Sequence, residues 1–362
     1  MNKKSIKALS LLIAFTLIFS VITVNASKTE NQTRTIVDMA GRKVAVPEAV
    51  NKVYSMGPSG TILLYTLCPD KIVGVNYEFT PRELKFVPDK YKKLPVLGGW
   101  FGKNNTGNIE EILKAKPDFI LSYGTINKTA ISTVEKIQKQ LNIPIVMVDS
   151  NLEKSYKAYE FVGDIVNEKE RAKALADYSK AIINEVKEKA GRLPQKKVRI
   201  YYAEGAEGLQ TEGRNSIRTL VSDMVGGLNV AGISTTTDYG KSPVSIENVL
   251  AWGPEVILVG SDPSGEHKVQ SKIMNDKRWA GVKAVKNKKV YEIPHGPFNW
   301  YDRPDSVNRL IGLKWMGNLF YPDVFDYDMK KEAKKFYKEF YHIDLTDDQL
   351  KDLLGNAYNP IR

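Results

Sequence analysis

The stretch NIEEILKAKPDFIL, Asn108 to Leu121, recurs later in the chain as SIENVLAWGPEVIL, Ser245 to Leu258. In both copies a polar residue that can cap a helix precedes an apolar stripe with helical spacing, and a proline then ends the helix. A short apolar run follows each proline and is typical of a buried strand. Helix, tight turn and strand form half of a βαβ unit, so the repeat predicts two α/β lobes with mainly parallel sheets.

The alternation of strands and helices continues on both sides of each copy. The further predicted strands are Lys52–Ser55, Ile72–Val75, Pro144–Asp149, Val198–Ala203 and Lys289–Ile293. The further predicted helices are Gly60–Leu67, Ala130–Leu141, Ser216–Val225 and Val269–Asn275, followed by tail helices at Ser306–Leu319, Met329–Phe340 and Thr346–Leu354. Because strands that alternate with helices build parallel sheets, we expect two Rossmann-like lobes.

A helical segment lies between the predicted lobes. Residues 152–193 are rich in Glu, Lys and Ala, and Glu168–Lys189 predicts one long helix that joins the lobes. We expect an N-terminal lobe over residues 27–151, the helical linker over residues 152–193, and a C-terminal lobe with a helical tail over residues 194–362. Ligands of open α/β sheets bind beyond the carboxyl ends of the strands, so the expected ligand cleft lies between the lobes.

Residues 1–26 have the pattern of a secretory signal peptide. Lys3, Lys4 and Lys7 precede an apolar run from Ala8 to Thr23, and Val24 to Ala26 form a small-residue cleavage site. An uncleaved membrane anchor is the alternative, since the run is only slightly short for a spanning helix. Either way we expect export, to a periplasm or to the outer face of the cytoplasmic membrane.

The composition argues against several classes of protein. The 362 residues are 42% hydrophobic and 26% charged, as in a folded, water-soluble protein. Lysines are spread along the chain despite its net charge of +11, which argues against a nucleic-acid-binding patch. The single cysteine, Cys68, rules out an internal disulfide, and three scattered histidines form no obvious zinc site. The sequence contains no GxxxxGK(S/T) phosphate loop, GxSxG elbow or HExxH pair, so we do not expect an enzyme.

Four further stretches together resemble one protein family. They are IVDMAGRKVAVP (Ile36–Pro47), YYAEGAEGLQT (Tyr201–Thr211), VKAVKNKKVYEIP (Val282–Pro294) and WYDRPDSVNRLIGLKW (Trp300–Trp315). Their order and spacing, together with the leader and the helical linker, resemble the solute-binding proteins of ABC importers for iron–siderophore complexes, haem, cobalamin and related metal compounds. The similarity extends over nearly all of the chain after the leader.

The resemblance implies a monomer that captures an iron–siderophore or similar metal complex and delivers it to ABC permease subunits, with no cofactor of its own. Molybdate or tungstate, a nickel chelate, haem and a corrinoid are alternative cargoes within the same role. From a different class, an exported two-lobed enzyme is a second alternative. That enzyme would need an acid, base or nucleophile with a shifted pKa in the cleft.

The resemblance also gives the repeat a role. In relatives, the glutamate that opens the equivalent helix of each lobe pairs with arginines of the permease, which implies that Glu110 and Glu247 are docking residues. Charged points on both lobes would let a permease sense how far apart the lobes stand. The alternative is that each acid merely interacts favourably with the dipole of its own helix.

Aromatic side chains follow several predicted strands and lie in loops at the expected cleft. Trp100 and Phe101 belong to the glycine-containing loop GGWFGKNN, Gly98 to Asn105, and could cover a planar or apolar ligand surface. Tyrosines at strand ends or in loops can hydrogen-bond a chelate or, when ionised, bind ferric iron. The candidate tyrosines are Tyr123, Tyr202 and Tyr239.

The stretch HGPFNWYDRP, His295 to Pro304, combines aromatic and basic residues after a predicted strand. Arg303 could grip a carboxylate or oxyanion through two parallel hydrogen bonds, unless Asp302 and Asp305 already pair with it. Trp300 and Tyr301 could stack on the cargo. The remaining candidates are His295, as a possible metal ligand, and Arg214, as a second anion contact.

Overall fold

The computed structural model describes residues 32–102, 106–214, 216–234, 240–260 and 268–355. The predicted leader, residues 1–26, lies outside these ranges. Among the helices in the described ranges, we find none with the length and apolar character that crossing a bilayer requires.

The N-terminal lobe contains a parallel three-stranded sheet in the order β3-β4-β5. The strands of this sheet are β3 (Val53–Ser55), β4 (Phe119–Gly124) and β5 (Ile145–Asp149). An antiparallel hairpin of β1 (Thr33–Val37) and β2 (Lys43–Pro47) precedes them. The predicted strand Ile72–Val75 is reduced to two isolated bridges, one at each of its ends. The helices of this lobe are α1 (Pro58–Leu67), α2 (Ile109–Ala115) and α3 (Lys128–Leu141).

Two helices follow the N-terminal lobe, α4 (Ser155–Ile165) and α5 (Lys169–Ala190). Helix α5 confirms the predicted long helix, with bounds shifted by one residue at each end. The two helices cross closely because Gly163 has no side chain: a Cβ built there would lie 2.1 Å from the Cβ of Ala172. The turn between them therefore depends on that glycine.

The C-terminal lobe contains a parallel four-stranded sheet in the order β11-β10-β6-β8. The strands of this sheet are β6 (Val198–Ala203), β8 (Gly227–Asn229), β10 (Val256–Val259) and β11 (Val290–Glu292). A separate antiparallel pair consists of β7 (Gln210–Thr211) and β9 (Ser242–Pro243). Its helices are α6 (Leu220–Met224), α7 (Ile246–Trp252), α8 (Lys268–Asn275) and α9 (Lys283–Lys286). The predicted helix Ser216–Val225 is divided into a 3-10 turn and α6, and strand β8 was not predicted.

The chain continues in a helical tail that packs back onto the N-terminal lobe. The tail helices are α10 (Asn308–Phe320), α11 (Pro322–Phe325), α12 (Met329–Phe336) and α13 (Asp347–Leu354). The Tyr65 hydroxyl on α1 donates to the carbonyl of Tyr341 at 3.2 Å. Nε of Arg82 lies 3.3 Å from a carboxylate oxygen of Asp352 on α13. One hydrophobic cluster runs through both lobes, α4, α5 and the tail, so packing joins the lobes in addition to helix α5.

The two copies of the repeat fold as the sequence predicts. The Asn108 side chain accepts a hydrogen bond from the N–H of Glu111 and caps α2, and Ser245 forms a capping box with Asn248 at the start of α7. Strands β4 and β10 follow, and each occupies an interior position in its sheet. The repeat thus places matching loops at the carboxyl ends of both sheets.

Candidate functional site

A pocket of about 220 Å³ lies in the N-terminal lobe, at the carboxyl ends of β3 and β4. We call it the N-lobe pocket; its polar and aromatic lining side chains are Ser59, Trp100, Phe101, Ser122, Tyr123 and Thr125. All of its lining residues are uncharged. The pocket therefore offers aromatic surface and hydroxyl groups to a ligand.

Helix α1 points its first turn at this pocket. Its N-cap is Gly57, which provides no side-chain cap. The helix packs tightly against the strand ends because a Cβ at Gly60 would lie 2.1 Å from Oγ of Ser55 and 3.2 Å from Cβ of Tyr123. Backbone N–H groups and the helix dipole make such a terminus favourable for a negatively charged group.

The predicted aromatic candidates Trp100, Phe101 and Tyr123 line this pocket and are half-buried. The N–H of Trp100 donates to the carbonyl of Met56 at 2.7 Å, which ties the aromatic loop to the end of β3. Burial raises the pKa of Tyr123 to about 12, so its phenol is a neutral hydrogen-bonding group at physiological pH.

A second pocket, of about 360 Å³, lies in the C-terminal lobe at the carboxyl ends of β6, β10 and β11. We call it the C-lobe pocket; its polar lining side chains are Tyr202, Glu204, Lys241, His295, Asn299, Asp302 and Arg303. In contrast to the N-lobe pocket, it contains acidic and basic groups. The sequence analysis included Tyr202, His295 and Arg303 among the candidates but not Glu204.

The guanidinium of Arg303 is held by carboxylates of the protein. Nη1 donates to Oε1 of Glu204 at 2.7 Å and to Asp302, and Nη2 donates to Oε1 of Glu212 at 2.6 Å. Of the two aspartates that the sequence offers as partners of Arg303, Asp302 forms an ion pair with it. A carboxylate oxygen of Asp305 instead lies 3.9 Å from Arg309. A cargo anion at Arg303 would have to displace these carboxylates, so the structure argues against the direct anion grip expected from the sequence.

Sequence analysis missed Glu204 and Glu212. Both are buried, and both lie 91 or more residues from Arg303 along the chain. A signal was present, since Glu204 directly follows the predicted strand Val198–Ala203, at the sheet edge where ligands bind. The carboxylates of Glu204, Glu212 and Asp302 offer oxygens within 4.8 Å of one another, but Arg303 occupies the position that a metal ion would need.

The cluster has unusual protonation equilibria. Burial raises the pKa of Glu204 to about 7; Arg303 opposes this effect, and the neighbouring carboxylates of Asp302 and Glu212 add to it. Burial likewise raises the pKa of Asp302, against the effect of Arg303. The Tyr202 hydroxyl donates to Oδ1 of Asp302 at 2.9 Å, so this candidate supports the cluster.

A carboxyl with a shifted pKa in the cleft was the criterion for the enzyme alternative, and Glu204 meets it. The same carboxyl is enclosed with Arg303 and two other carboxylates in an ion-pair network. Such networks shift pKa values without catalysis. The geometry of Glu204 therefore gives the enzyme alternative no specific support.

The structure places Trp300 and Tyr301 outside the two pockets. Trp300 and Tyr301 are fully buried in the core, where Nε1 of Trp300 donates to the Tyr337 hydroxyl at 3.2 Å and the Tyr301 hydroxyl lies 3.0 Å from Oγ of Ser222. Stacking of these two rings on cargo is incompatible with that burial, so we exclude them from the site.

His295 lines the C-lobe pocket, but its Nε2 lies 2.9 Å from Oε1 of Glu83, and its side chain is 7% exposed. It therefore bridges the lobes, which does not favour a metal-ligand role. Arg214 is exposed, and its Nε donates to the carbonyl of Asn229 at 3.1 Å. Tyr239 lies outside the described residues.

The two glutamates of the repeat are exposed, in the first turns of α2 and α7. Among the described residues, neither Glu110 nor Glu247 forms an ion pair. The Ser245 hydroxyl and the backbone lower the pKa of Glu247, so it is ionised at neutral pH. Three positions further along each helix, Leu113 and Leu250 are 43% and 41% exposed. Each lobe thus presents the same acidic and apolar pair to solvent.

The chain is similar to several known proteins. A family model described as periplasmic binding protein matches residues 59–296. The molybdate-binding protein MolA of Haemophilus influenzae is 29% identical over 343 residues, which cover 87% of this chain and 93% of MolA. The high-affinity heme uptake system protein IsdE of Staphylococcus aureus is 28% identical over 249 residues, which cover 67% of this chain and 80% of IsdE.

The comparison with solved structures agrees with the sequence comparisons. The structure of an ABC transporter solute binding protein from Sulfurospirillum deleyianum superposes with a TM-score of 0.81 at 31% sequence identity. The match covers 89% of this chain and 99% of that protein. Similarity over almost the whole length of the chain extends to both lobes.

Proposed function

This chain belongs to the periplasmic binding protein family, as the solute-binding component of an ABC importer, and we propose that it binds a small metal-containing solute between its N-lobe and C-lobe pockets. The observation that carries the proposal is the placement of both pockets at the carboxyl ends of parallel strands. Together their volumes fall in the range of small-molecule sites.

Contacts beside the pockets support a shared cleft. Nη2 of Arg309, six residues after Arg303, donates to the carbonyl of Ser150 at 3.0 Å, and Ser150 directly follows β5 of the N-terminal lobe. The Arg309 charge also acts on Tyr123 in the N-lobe pocket. The start of α10, six residues after Arg303, therefore abuts the end of β5 in the opposite lobe.

We favour an iron–siderophore or similar metal complex as the cargo. Trp100 and Phe101 offer a half-buried aromatic surface that suits the organic part of a chelate. A metal oxyanion such as molybdate is the second candidate, since MolA is similar along 93% of its length and the first turn of α1 favours negative charge. The proposed ligand-contacting residues are Trp100, Phe101 and Tyr123 for either cargo, and Glu204 in addition for the metal complex.

The proposed partner is a permease that contacts Glu110 and Glu247. Their exposure on matching helices of both lobes supports this role. We further propose that the protein is exported, acts as a monomer, has no resident cofactor and catalyses no reaction. Its relatives named above, which are named for binding or uptake, support the absence of catalysis.

The test begins with protein purified from its native host, in which any retained metal is identified by absorbance and elemental analysis. Binding of that solute is then measured by calorimetry. Because an aromatic contact contributes about 0.5–1.5 kcal/mol, Trp100→Ala should weaken affinity by roughly two- to thirteenfold. Val96→Ala, a change at an exposed apolar residue outside both pockets, is the matched control and should have no effect. Unchanged affinity of Trp100→Ala would exclude the aromatic loop from the site.

A further inference from the structure

One oxygen of the Glu204 carboxyl is bound and the other is not. The residue is 5% exposed, and its Oε1 accepts from Nη1 of Arg303 at 2.7 Å. Its Oε2 is shielded from solvent and has no hydrogen-bond partner among the described residues. Since a buried carboxylate oxygen is strongly destabilised without a donor, this atom marks a position where a donor is missing.

The groups around Glu204 do not supply that donor. The titratable and charged groups that act on it or on its cluster are Arg303, Asp302, Glu212, Asp305, Arg218, Lys241, Tyr201, Tyr202 and Tyr301. Arg303 is shared among three carboxylates, the Tyr202 hydroxyl donates to Asp302, and the Tyr201 hydroxyl donates to the carbonyl of Gly208 at 2.9 Å. Lys241 acts on Glu204 through its charge only, and Oε2 has no hydrogen-bond partner among the described residues.

Glu204 is one of the residues that line the C-lobe pocket. Within the proposed function, we infer that the solute itself supplies the missing donor by presenting a positively charged or hydrogen-bond-donating group, such as an ammonium or a metal-bound water, to Glu204. The carboxylate is then satisfied in the bound state, and the pocket selects solutes that carry such a group.

The N-lobe pocket, on the other side of the proposed cleft, prefers the opposite kind of ligand group. The first turn of α1 and the hydroxyls of the N-lobe pocket favour a negative or hydrogen-bond-accepting surface. The preferred solute therefore has two different faces, which a metal complex with organic ligands can provide. A bare oxyanion such as molybdate has only acceptor oxygens and would leave Glu204 unsatisfied. The inference thus separates the two cargo classes.

The experiment compares two probes by calorimetry, ferrioxamine B and molybdate. Ferrioxamine B is a ferric hydroxamate complex with a pendant ammonium group. At about pH 8, where Glu204 is mostly ionised, the wild type should bind ferrioxamine B at least about tenfold more tightly than molybdate. Glu204→Gln removes the charge and presents an amide donor, so it should reduce that preference by about tenfold or more.

A pH series provides a second readout that needs no variant. A proton competes with the donor of the solute for Glu204, so lowering the pH from about 8 to about 6 should weaken ferrioxamine B binding by the wild type about tenfold. Glu204→Gln should lose this dependence. Glu207→Gln is the matched control, because Glu207 is three residues away and pairs with Arg278 at the surface, and it should behave as the wild type.

Three outcomes would overturn the inference. A wild type that prefers molybdate, or a preference that Glu204→Gln does not change, would refute the role of Glu204 while leaving solute binding intact. If the wild type bound neither probe, the proposed cargo classes would fail, and the inference would fail with them.

Discussion

The two lobes share a scaffold but differ in what they place at the cleft. Each lobe contains the same capped helix, turn and interior strand, and each opens a pocket at the carboxyl ends of its sheet. The N-lobe pocket is lined by uncharged residues, whereas the C-lobe pocket is lined by Arg303 and by two of the three buried carboxylates that pair with it. The helix–turn–strand repeat therefore gives both lobes the same architecture, and the residues of the loops after the strands determine which groups line each pocket.

The largest expected effect is a loss of stability caused by a substitution in the C-terminal lobe. Arg303→Ala would leave the buried carboxylates of Glu204, Glu212 and Asp302 without their shared cation, so we expect the free energy of unfolding to fall by about 3–5 kcal/mol at neutral pH. Denaturant unfolding measures this change. Arg278→Ala breaks an exposed ion pair in the same lobe and should have little effect. If both variants were equally stable, the cluster would not be the structural element described above.

The pH dependence of stability sharpens the same contrast. The pKa of Glu204 is raised from 4.5 to about 7 in the folded protein, so its favourable contribution is present below about pH 4.5 and is lost as the pH rises through about 7. This loss is up to about 3 kcal/mol. Unfolding of the wild type and Glu204→Gln at a series of pH values measures it as the difference between the two curves. Parallel curves would contradict the shifted pKa.

The smallest expected effect is on uptake, and it tests the exposed glutamate that both lobes share, Glu110 in one and Glu247 in the other. Replacing both Glu110 and Glu247 by alanine should reduce uptake in a reconstituted transporter by about tenfold or more, equivalent to about 1.4 kcal/mol, because each lobe loses one charged contact with the permease. Each single substitution should give an intermediate loss. Solute affinity, measured by calorimetry, should remain unchanged.

The control for docking is Glu135→Ala, which removes an exposed acid from α3 of the N-terminal lobe. Uptake by this variant should equal that of the wild type. A fall in solute affinity of the Glu110 and Glu247 double variant that matched its fall in uptake would rule out a docking role. If uptake did not fall at all, the acids would serve only the dipoles of their helices.

Most of the fold follows from local sequence. Asn108 and Ser245 predict the starts of α2 and α7 because a cap acts on N–H groups only two or three residues away. Helix α5 follows in the same way from composition and periodicity. The short strand β8 was missed because three residues carry too little pattern to be recognised.

The site is harder to predict because its contacts are distant in sequence. Trp100 and Tyr123 were found because loops after strands lie at the cleft. Trp300 looked equally suitable, yet it is buried under α10, where Gly312 has no side chain and so allows the helix to approach the Trp300 carbonyl. Asp302, the adjacent partner of Arg303, was considered from the sequence, but Glu204 and Glu212 come from 99 and 91 residues away, and no local pattern identifies such pairs.

The central claim is that the solute lies between the two pockets, and a crystal structure of the protein purified from its native host with its solute retained tests it most directly. We predict electron density in contact with Trp100 or Tyr123 on one side and with Glu204 on the other. Density that touches residues of one lobe only, or that lies in the surface pocket lined by Lys71, Arg171 and His342, would contradict the account.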